Sequence, residues 1–234
     1  MIRAVTFDVW DTLLNLKVAR EAMIGAVSRA TGRPVDDVRK AVSEADRHVR
    51  RLRQLRGLSG AESVRASVSY LASSLGYGGD LLQVINDAVA SLDVSAVAFQ
   101  DSLEAVRDVR GLGLRVGVLG NTLFWSSSAT RRLLSRAFGD AFDFMGFADE
   151  IGHSKPSPEA FLAAAKGLGV DVSELVHVGD RASEDLGGAL AAGLRAVLVA
   201  RGRVSEAIVL PELGFAVVPD LRGLRQVILE LSTR

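Results

Sequence analysis

Short apolar runs alternate with longer segments of helical periodicity over most of the chain. Four of the apolar runs are nearly continuous, which is typical of strands that are covered on both faces. The strand candidates, with the two weaker ones last, are AVTFDV, RVGVLG, LVHVGD, RAVLVA, FDFMGF and FAVVPD. The segments between them have helical spacing, and several end in glycine, the usual helix stop. This alternation predicts an α/β fold with a doubly wound parallel sheet.

Residues 16–93 interrupt this alternation. The segment contains no convincing strand and has the pattern of several helices, with breaks at residues 32–34, 57–60 and 76–79, where glycine and proline accumulate. We therefore predict a core formed by residues 1–15 and 94–234, with residues 16–93 inserted after the first strand as an α-helical cap.

The composition narrows the class of protein. Hydrophobic residues make up 48% of the chain, enough for a packed core, while 28 basic and 28 acidic residues balance each other. This balance gives no support for a nucleic-acid or membrane-surface partner. The chain has no cysteine, which excludes disulfides and thiolate chemistry. With no signal-like or membrane-spanning segment, we expect a cytoplasmic globular protein, and its oligomeric state is not predicted.

Polar side chains follow the predicted strands where ligands bind in open parallel sheets, beyond the carboxyl ends. Asp8 follows the first predicted strand, and Asn121 and Thr122 follow RVGVLG. Asp180 and Asp185 stand at and after the end of LVHVGD, the fourth strand in chain order, and Lys155 lies in the segment before that strand. Clustered carboxylates repel each other, and a divalent cation with oxygen ligands, most simply Mg²⁺, relieves that repulsion.

Each of these residues also has an ordinary structural interpretation. Asp180 alone would be read as a helix cap, Asp185 as an acidic residue in a first helical turn, and Lys155 as a solvated loop residue. Their joint occurrence at strand ends, in this order, favours a site.

The order of FDVWDTLL, VGVLGN, GHSKPSPEAF and HVGDRASEDLGGALAAGL is similar to that of the haloacid dehalogenase superfamily, hydrolases with an aspartate nucleophile. The most specific parts are the lysine followed by Pro-x-Pro and the Gly-Asp-x4-Asp motif. The resemblance extends over nearly the whole chain, including the inserted cap. It implies a Rossmann-like core.

The resemblance also implies roles for individual residues. Asp8 matches the nucleophile, which forms an aspartyl-phosphate and binds Mg²⁺, and Lys155 matches the residue that neutralises the developing charge. Asp180 matches a direct metal ligand, and Asp185 matches a second carboxylate at the metal, direct or through water. The backbone carbonyl of Trp10 occupies the position that usually completes the protein ligands. The implied substrate is a small anionic, phosphorylated metabolite.

The sequence departs from the family pattern at two places within these motifs. Trp10 occupies the position of the second aspartate, the general acid and base of the family's phosphatases, and Asp11 occupies a position that is normally glycine. Gly120 stands where a serine or threonine usually holds the phosphoryl group. Asn121, which matches the family's asparagine, and Thr122 remain as candidate substrate contacts.

Loss of a general acid or base lowers a rate by about 10²–10⁴-fold. Three explanations remain open: Asp11 replaces the missing acid, the substrate has a good leaving group, or the reaction is not phosphate-ester hydrolysis. A phosphatase is the first interpretation. A 2-haloacid dehalogenase is second, because those enzymes carry an aromatic residue at the position of Trp10. Phosphonate cleavage, with Lys17 or Lys40 as the cap lysine, and a non-catalytic anion-binding protein are the others.

The predicted cap contains a basic run whose arginines include Arg47, Arg50, Arg51 and Arg53. On a helix the first three share one face and Arg53 points elsewhere. We expect most of them to form a solvated face, and a second interpretation has one or two of them holding an anionic substrate.

Two tryptophans are expected to flank the predicted cleft, because Trp10 follows Asp8 and Trp125 follows Asn121. His177, inside the fourth strand, is expected to be a core residue. His153 is either a loop residue or part of the site.

Overall fold

The computed structural model describes residues 1–232, apart from the side chains of Gln54 and Arg56. Seven strands form one sheet in the order β3-β2-β1-β4-β5-β7-β6. The strands are β1 (Ala4–Phe7), β2 (Arg115–Gly120), β3 (Phe144–Phe147), β4 (Leu175–Gly179), β5 (Arg195–Val199), β6 (Ile208–Leu210) and β7 (Phe215–Val218). All neighbouring pairs are parallel except β6 and β7. The predicted doubly wound parallel sheet is confirmed, and β6, a three-residue edge strand, was not predicted.

Strand β1 lies in the middle of the sheet, between β2 and β4. Phe7 pairs with Val118 of β2 and with Val178 of β4, so the carboxyl ends of the three strands lie side by side. Every residue of β1 and β4 is buried, as expected for central strands covered by helices on both faces. This register brings the residues that follow the three strands to one edge of the sheet.

Among residues 94–232, the described part of the chain after the inserted segment, there are seven α-helices. They are α5 (Val94–Val97), α6 (Gln100–Arg110), α7 (Ser127–Phe138), α8 (Ala148–Ile151), α9 (Pro158–Leu168), α10 (Gly188–Ala191) and α11 (Leu224–Leu231). Residues 183–194 were predicted to be one helix, whereas the structure has a π-helical turn, Ala182–Gly187, that leads into the short α10. Such turns are frequent at functional sites.

Four helices fill the inserted segment: α1 (Leu16–Thr31), α2 (Val35–Arg56), α3 (Gly60–Leu75) and α4 (Leu81–Ala90). The first three end at Gly32, Gly57 and Gly76, all with positive φ, at the breaks expected from the sequence. The helices share a hydrophobic cluster that also takes in Phe124 and Trp125, which follow β2. The division of the chain into a core and a cap at residues 16 and 93 stays a prediction.

In the described part of the chain, no helix combines the length and the apolar character that crossing a bilayer requires.

Candidate active site

The loop after β1 places Asp8 at the centre of the site. The Asp8 backbone N–H donates to the carbonyl of Val178 at 2.8 Å, which extends the pairing of β1 with β4 by one residue. Two residues beyond Trp10, the chain turns back, and the N–H of Leu14 donates to the Val9 carbonyl at 2.8 Å. The turn fixes the direction in which the Asp8 carboxylate leaves the sheet.

Asp11 is the one non-glycine residue with positive φ, 63°, in the described chain. This explains why glycine is the usual residue at this position of the family motif, since side chains are strained in the left-handed region. The Asp11 carboxylate accepts a hydrogen bond from the Leu16 N–H at 3.1 Å. Local hydrogen bonding of this kind is how aspartate tolerates a left-handed conformation.

Arg201, after β5, holds the same turn from outside. Its guanidinium donates to the Thr12 carbonyl at 3.0 Å and to the Asp11 carbonyl at 3.4 Å. Asp101 in turn binds the Arg201 guanidinium with both carboxylate oxygens, at 2.8 and 3.1 Å. Bidentate pairs of this type fix orientation as well as charge, so the turn that carries Asp11 is anchored to α6.

Lys155 connects two of the predicted site residues. Its ammonium group is 2.7 Å from Asp8 Oδ1 and 2.6 Å from Asp185 Oδ1, and its side chain is 1% exposed. Asn121 holds the lysine backbone by accepting from its N–H at 2.8 Å and donating to its carbonyl at 2.9 Å. The predicted convergence of Asp8, Lys155 and Asp185 is therefore present in the structure.

The electrostatics of this cluster are dominated by burial. Burial and the charges of Asp185 and Asp180 raise the pKa of Asp8 to about 7, although Lys155 acts in the opposite direction. Burial and the Asp185 charge likewise raise the pKa of Asp180 to about 6. Burial disfavours the Lys155 ammonium, but the two carboxylates outweigh this and raise its pKa. Burial opposes the ionisation of Asp185 as well, but Lys155 and His177 outweigh it and lower the pKa of Asp185, so the cluster holds an ionised Asp185 beside Asp8 and Asp180, whose ionisation is opposed.

His177 is a member of this cluster that the sequence interpretation missed. Its side chain is fully buried, as expected for a core residue, but Nε2 lies 3.1 Å from Asp185 Oδ1 and Nδ1 lies 3.0 Å from Thr6 Oγ1. Burial and the Lys155 charge lower the pKa of His177 to about 4, so the ring is neutral near pH 7. The residues of a strand alternate between faces, which puts His177 on the same face as Gly179, beside the Asp185 carboxylate.

Asp8, Asp180 and Asp185 each present a carboxylate oxygen within 4.8 Å of the others. An all-carboxylate donor set is one that Mg²⁺ fits, because hard cations prefer oxygen ligands and offset the repulsion between them, which contributes to the raised pKa values of Asp8 and Asp180. Asp185 is also bound by Lys155 and by the Arg181 N–H, at 2.6 and 2.9 Å. Asp8 and Asp180 are therefore the freer ligands, and Asp185 is suited to hold them in place.

Asn121 and Thr122 line the cleft above Asp8, and Gly120 does not. Gly120 is the buried last residue of β2, and a Cβ at this position would lie 3.2–3.3 Å from Phe147 and Val9. Thr122 Oγ1 is buried without a hydrogen-bond partner among the described residues. Of the candidate substrate contacts, Thr122 thus has a polar atom without a partner, and a side chain at Gly120 would pack tightly against Phe147 and Val9.

Both tryptophans line the cleft, as expected. Trp10 and Trp125 pack edge to face with ring centroids 5.1 Å apart. Trp10 contacts both the cluster of the core sheet and that of the inserted helices, so it joins the two apolar regions at the cleft. His153 is exposed and does not line the cleft, which agrees with the expectation of a loop residue and not with that of a site residue.

Arginines line the side of the cleft formed by α1 and α2. Arg50 and Arg53, one turn apart, line the cleft together with Arg20, whereas Arg47 and Arg51 are exposed. Arg47 and Arg51 are exposed as expected for a solvated face, while Arg53, which was expected to point elsewhere, lines the cleft with Arg50. The cap lysines, Lys17 and Lys40, are exposed and are absent from this cleft wall.

Gly179 is required by the packing of Asp185. A Cβ at position 179 would overlap the Asp185 carboxylate. We expect Gly179→Ala to lower the free energy of unfolding by about 1–3 kcal/mol, as overpacking does, and to displace Asp185 from Lys155. Urea unfolding measures the change. Gly78→Ala is the control, because a Cβ there meets nothing within 4 Å, and equal effects of the two variants would contradict this account.

The chain belongs to the haloacid dehalogenase-like hydrolases, because residues 2–193 match the model of that family. The protein is therefore an enzyme of the hydrolase class, and the resemblance inferred from the motifs is confirmed.

Individual relatives carry different activities. The chain is 29% identical to a glyceraldehyde 3-phosphate phosphatase of Methanopyrus kandleri, over 88% of this chain and 87% of the relative. It is similar in fold to a HAD-hydrolase of Bacillus subtilis bound to magnesium, with a TM-score of 0.76, 16% identity and coverage of 97% and 98%. It is also similar to the L-2-haloacid dehalogenase of Xanthobacter autotrophicus, with a TM-score of 0.71, 20% identity and full coverage of both chains. The two structural likenesses show the fold alone.

Proposed function

We propose that this enzyme is a Mg²⁺-dependent phosphatase that acts on a small phosphorylated metabolite through an aspartyl-phosphate on Asp8. The observation that carries the proposal is the grouping of Asp8, Asp180 and Asp185 within 4.8 Å, beside a buried lysine. Three carboxylates that need a cation suit a phosphoryl substrate, whose oxygens share that cation. The likeness to a glyceraldehyde 3-phosphate phosphatase supports the same assignment.

In the proposed reaction an Asp8 carboxylate oxygen attacks phosphorus, and the bond from phosphorus to the leaving oxygen breaks. Water then attacks phosphorus, which releases phosphate and restores the Asp8 carboxylate. Lys155, at 2.7 Å from Asp8, orients the nucleophile and offsets the charge of the phosphoryl group. Mg²⁺, held by Asp8, Asp180 and the Trp10 carbonyl with Asp185 directly or through water, would supply charge neutralisation when bound.

A dehalogenase is the second candidate, because Trp10 places an aromatic wall next to the nucleophile. Product analysis separates the two reactions. The protein is incubated with phosphomonoesters, acyl phosphates and 2-haloacids, each with Mg²⁺ and with a chelator. We expect phosphate release that requires Mg²⁺. Halide release in the presence of the chelator would overturn the proposal in favour of the dehalogenase.

Mg²⁺ binding is expected to depend on pH. Because the pKa of Asp8 is raised to about 7 and that of Asp180 to about 6, protons compete with the cation below these values. Affinity should fall as pH falls, by about tenfold per pH unit for each carboxylate that must lose a proton. Calorimetric titration at several pH values between 5 and 8 measures this slope. An affinity independent of pH would contradict the assignment of these ligands.

Asp11 is the proposed substitute for the missing acid. Asp11→Asn retains the tolerance for positive φ and the acceptor for the Leu16 N–H, but it cannot transfer a proton. We expect it to slow alkyl phosphate hydrolysis by about 10²–10⁴-fold and acyl phosphate hydrolysis far less, because a good leaving group needs little protonation. Steady-state kinetics on both substrates give the ratio. Equal losses would exclude Asp11 as the proton donor.

A further inference from the structure

The arginines that line the cleft from α1 and α2 differ in whether a carboxylate of the protein pairs with them. Arg20 and Arg50 both bind Asp46, at 2.7 and 2.5 Å, so their charges are partly compensated within the protein. Arg50 also lies 3.7 Å from Glu184. Both arginines are thus paired with a carboxylate of the protein, although Arg20 Nε is buried without a hydrogen-bond partner among the described residues.

Arg53 differs, because its hydrogen-bond partners are neutral. It donates to the Thr122 carbonyl at 2.8 Å and to Ser63 Oγ at 3.3 Å, and no described carboxylate is in salt-bridge contact with it. These two bonds leave three of the five N–H groups of the guanidinium without a partner among the described residues. The charge is half-buried, and burial lowers the pKa of Arg53, although the charges of Glu184 and Asp46, beyond salt-bridge distance, act in the opposite direction.

A half-buried cation that lines a cleft and has no salt-bridge partner among the described residues is a binding group for an anion. Burying a charge without a partner is costly, and an oxyanion that accepts two N–H bonds removes that cost. The bonds to Thr122 and Ser63 hold the guanidinium in place before binding, which reduces the entropy lost on association. Thr122 Oγ1, buried and without a partner in the same cleft, is a further donor.

We propose that Arg53, together with Thr122, binds a second anionic group of the substrate, a carboxylate or a second phosphate, apart from the phosphoryl group transferred to Asp8. The inference rests on the proposed function, since it names the substrate class of the same cleft. Asp8 lies at the sheet edge, whereas Arg53 extends from α2 to the loop that follows β2. A substrate bound at Asp8 therefore also meets the Arg53 guanidinium in the same cleft.

The test compares matched compounds with one and with two anionic groups. Inhibition constants against phenyl phosphate hydrolysis are measured for glycerol 3-phosphate, 3-phosphoglycerate and propanediol 1,3-bisphosphate, with calorimetry of the same compounds as a binding readout that needs no turnover. The variants are Arg53→Gln and, as a control, Arg51→Gln, which removes an exposed arginine of the same helix.

We expect the wild type to bind at least one of the two doubly anionic compounds about 10- to 100-fold more tightly than glycerol 3-phosphate, the range for charge-assisted hydrogen bonds. Arg53→Gln should remove this preference and leave glycerol 3-phosphate binding within about twofold, and Arg51→Gln should change neither. If 3-phosphoglycerate binds more tightly, the recognised group is a carboxylate; if propanediol 1,3-bisphosphate does, it is a phosphate.

Two results would overturn the inference. One is equal affinity for all three compounds in the wild type. The other is an equal loss for all three in Arg53→Gln, which would place Arg53 at the transferred phosphoryl group instead. Failure to hydrolyse phenyl phosphate or any other phosphomonoester would count against the proposed function, while calorimetry would still decide the role of Arg53.

Discussion

Asp8→Asn should abolish turnover, with a fall of more than about 10⁴-fold in kcat, because the amide cannot form the covalent intermediate. The substitution is nearly isosteric and retains an oxygen 2.7 Å from the Lys155 ammonium. It also removes a carboxylate whose pKa is raised to about 7 by burial, so folding should survive it. Phosphate release under single-turnover conditions, with thermal unfolding as the folding check, measures both effects.

Asp108→Asn is the matched control for this variant, since Asp108 is exposed on α6 away from the cleft. It should keep the activity of the wild type. Residual activity of Asp8→Asn above about one per cent would show that another group performs the attack, and the assignment of the nucleophile would fail.

Lys155→Met is expected to have the largest effect on stability. The ammonium group is the partner of both Asp8 and Asp185, and removal of one member of a buried ion pair costs about 3–5 kcal/mol. Many domains have only about 5–15 kcal/mol of total stability, so the variant should unfold at much lower urea concentration and be inactive. Lys166→Met, at an exposed position of α9, serves as the control and should be close to wild type.

The pH dependence of Lys155→Met separates loss of charge from loss of packing. Without the lysine, the buried carboxylates of Asp8 and Asp185 have folded-state pKa values raised above those of the unfolded chain. The folded state then binds more protons, so stability is retained at acidic pH and lost as pH rises through the raised values. Urea unfolding at pH 5 and pH 8 measures this trend. A variant equally unstable at both pH values would point to packing alone.

The site residues that follow strands could be predicted because the topology fixes where they meet. Once the sheet is parallel with β1 between β2 and β4, Asp8, Asn121 and Asp180 must lie at one edge, whatever the details of the loops. The cap helices could be predicted for a similar reason, since glycines with positive φ end three of them at the expected breaks.

The role of His177 could not be predicted because its partner, Asp185, lies outside its own strand in the chain and reaches it only in the folded structure. Burial in β4 is evident from the sequence, but the contact with Asp185 depends on the π-helical turn that returns the carboxylate to the strand. The pattern of residues 183–194 favoured an ordinary helix. The sequence therefore indicated that His177 is buried, and the structure added what it contacts.

Which side of α2 faces the cleft could also not be predicted from the sequence. This helix has arginines on several sides, and its own periodicity does not say which side meets the core. The choice depends on how the inserted helices rest on the segment after β2, where Arg53 binds the Thr122 carbonyl. The conformation of Asp11 is a related case, since its positive φ is held by Arg201, which is 190 residues away in the chain.

The position of solvent oxygen after turnover in H₂¹⁸O tests the central claim most directly. In an aspartyl-phosphate mechanism water attacks phosphorus, so the account predicts ¹⁸O in the released phosphate and none in Asp8 after many turnovers. Mass spectrometry of the phosphate and of the peptide that contains Asp8 measures both. Incorporation of ¹⁸O into the Asp8 carboxylate would mean that water attacks the carbonyl carbon of an Asp8 ester, as in displacement of halide from carbon, and would contradict the account.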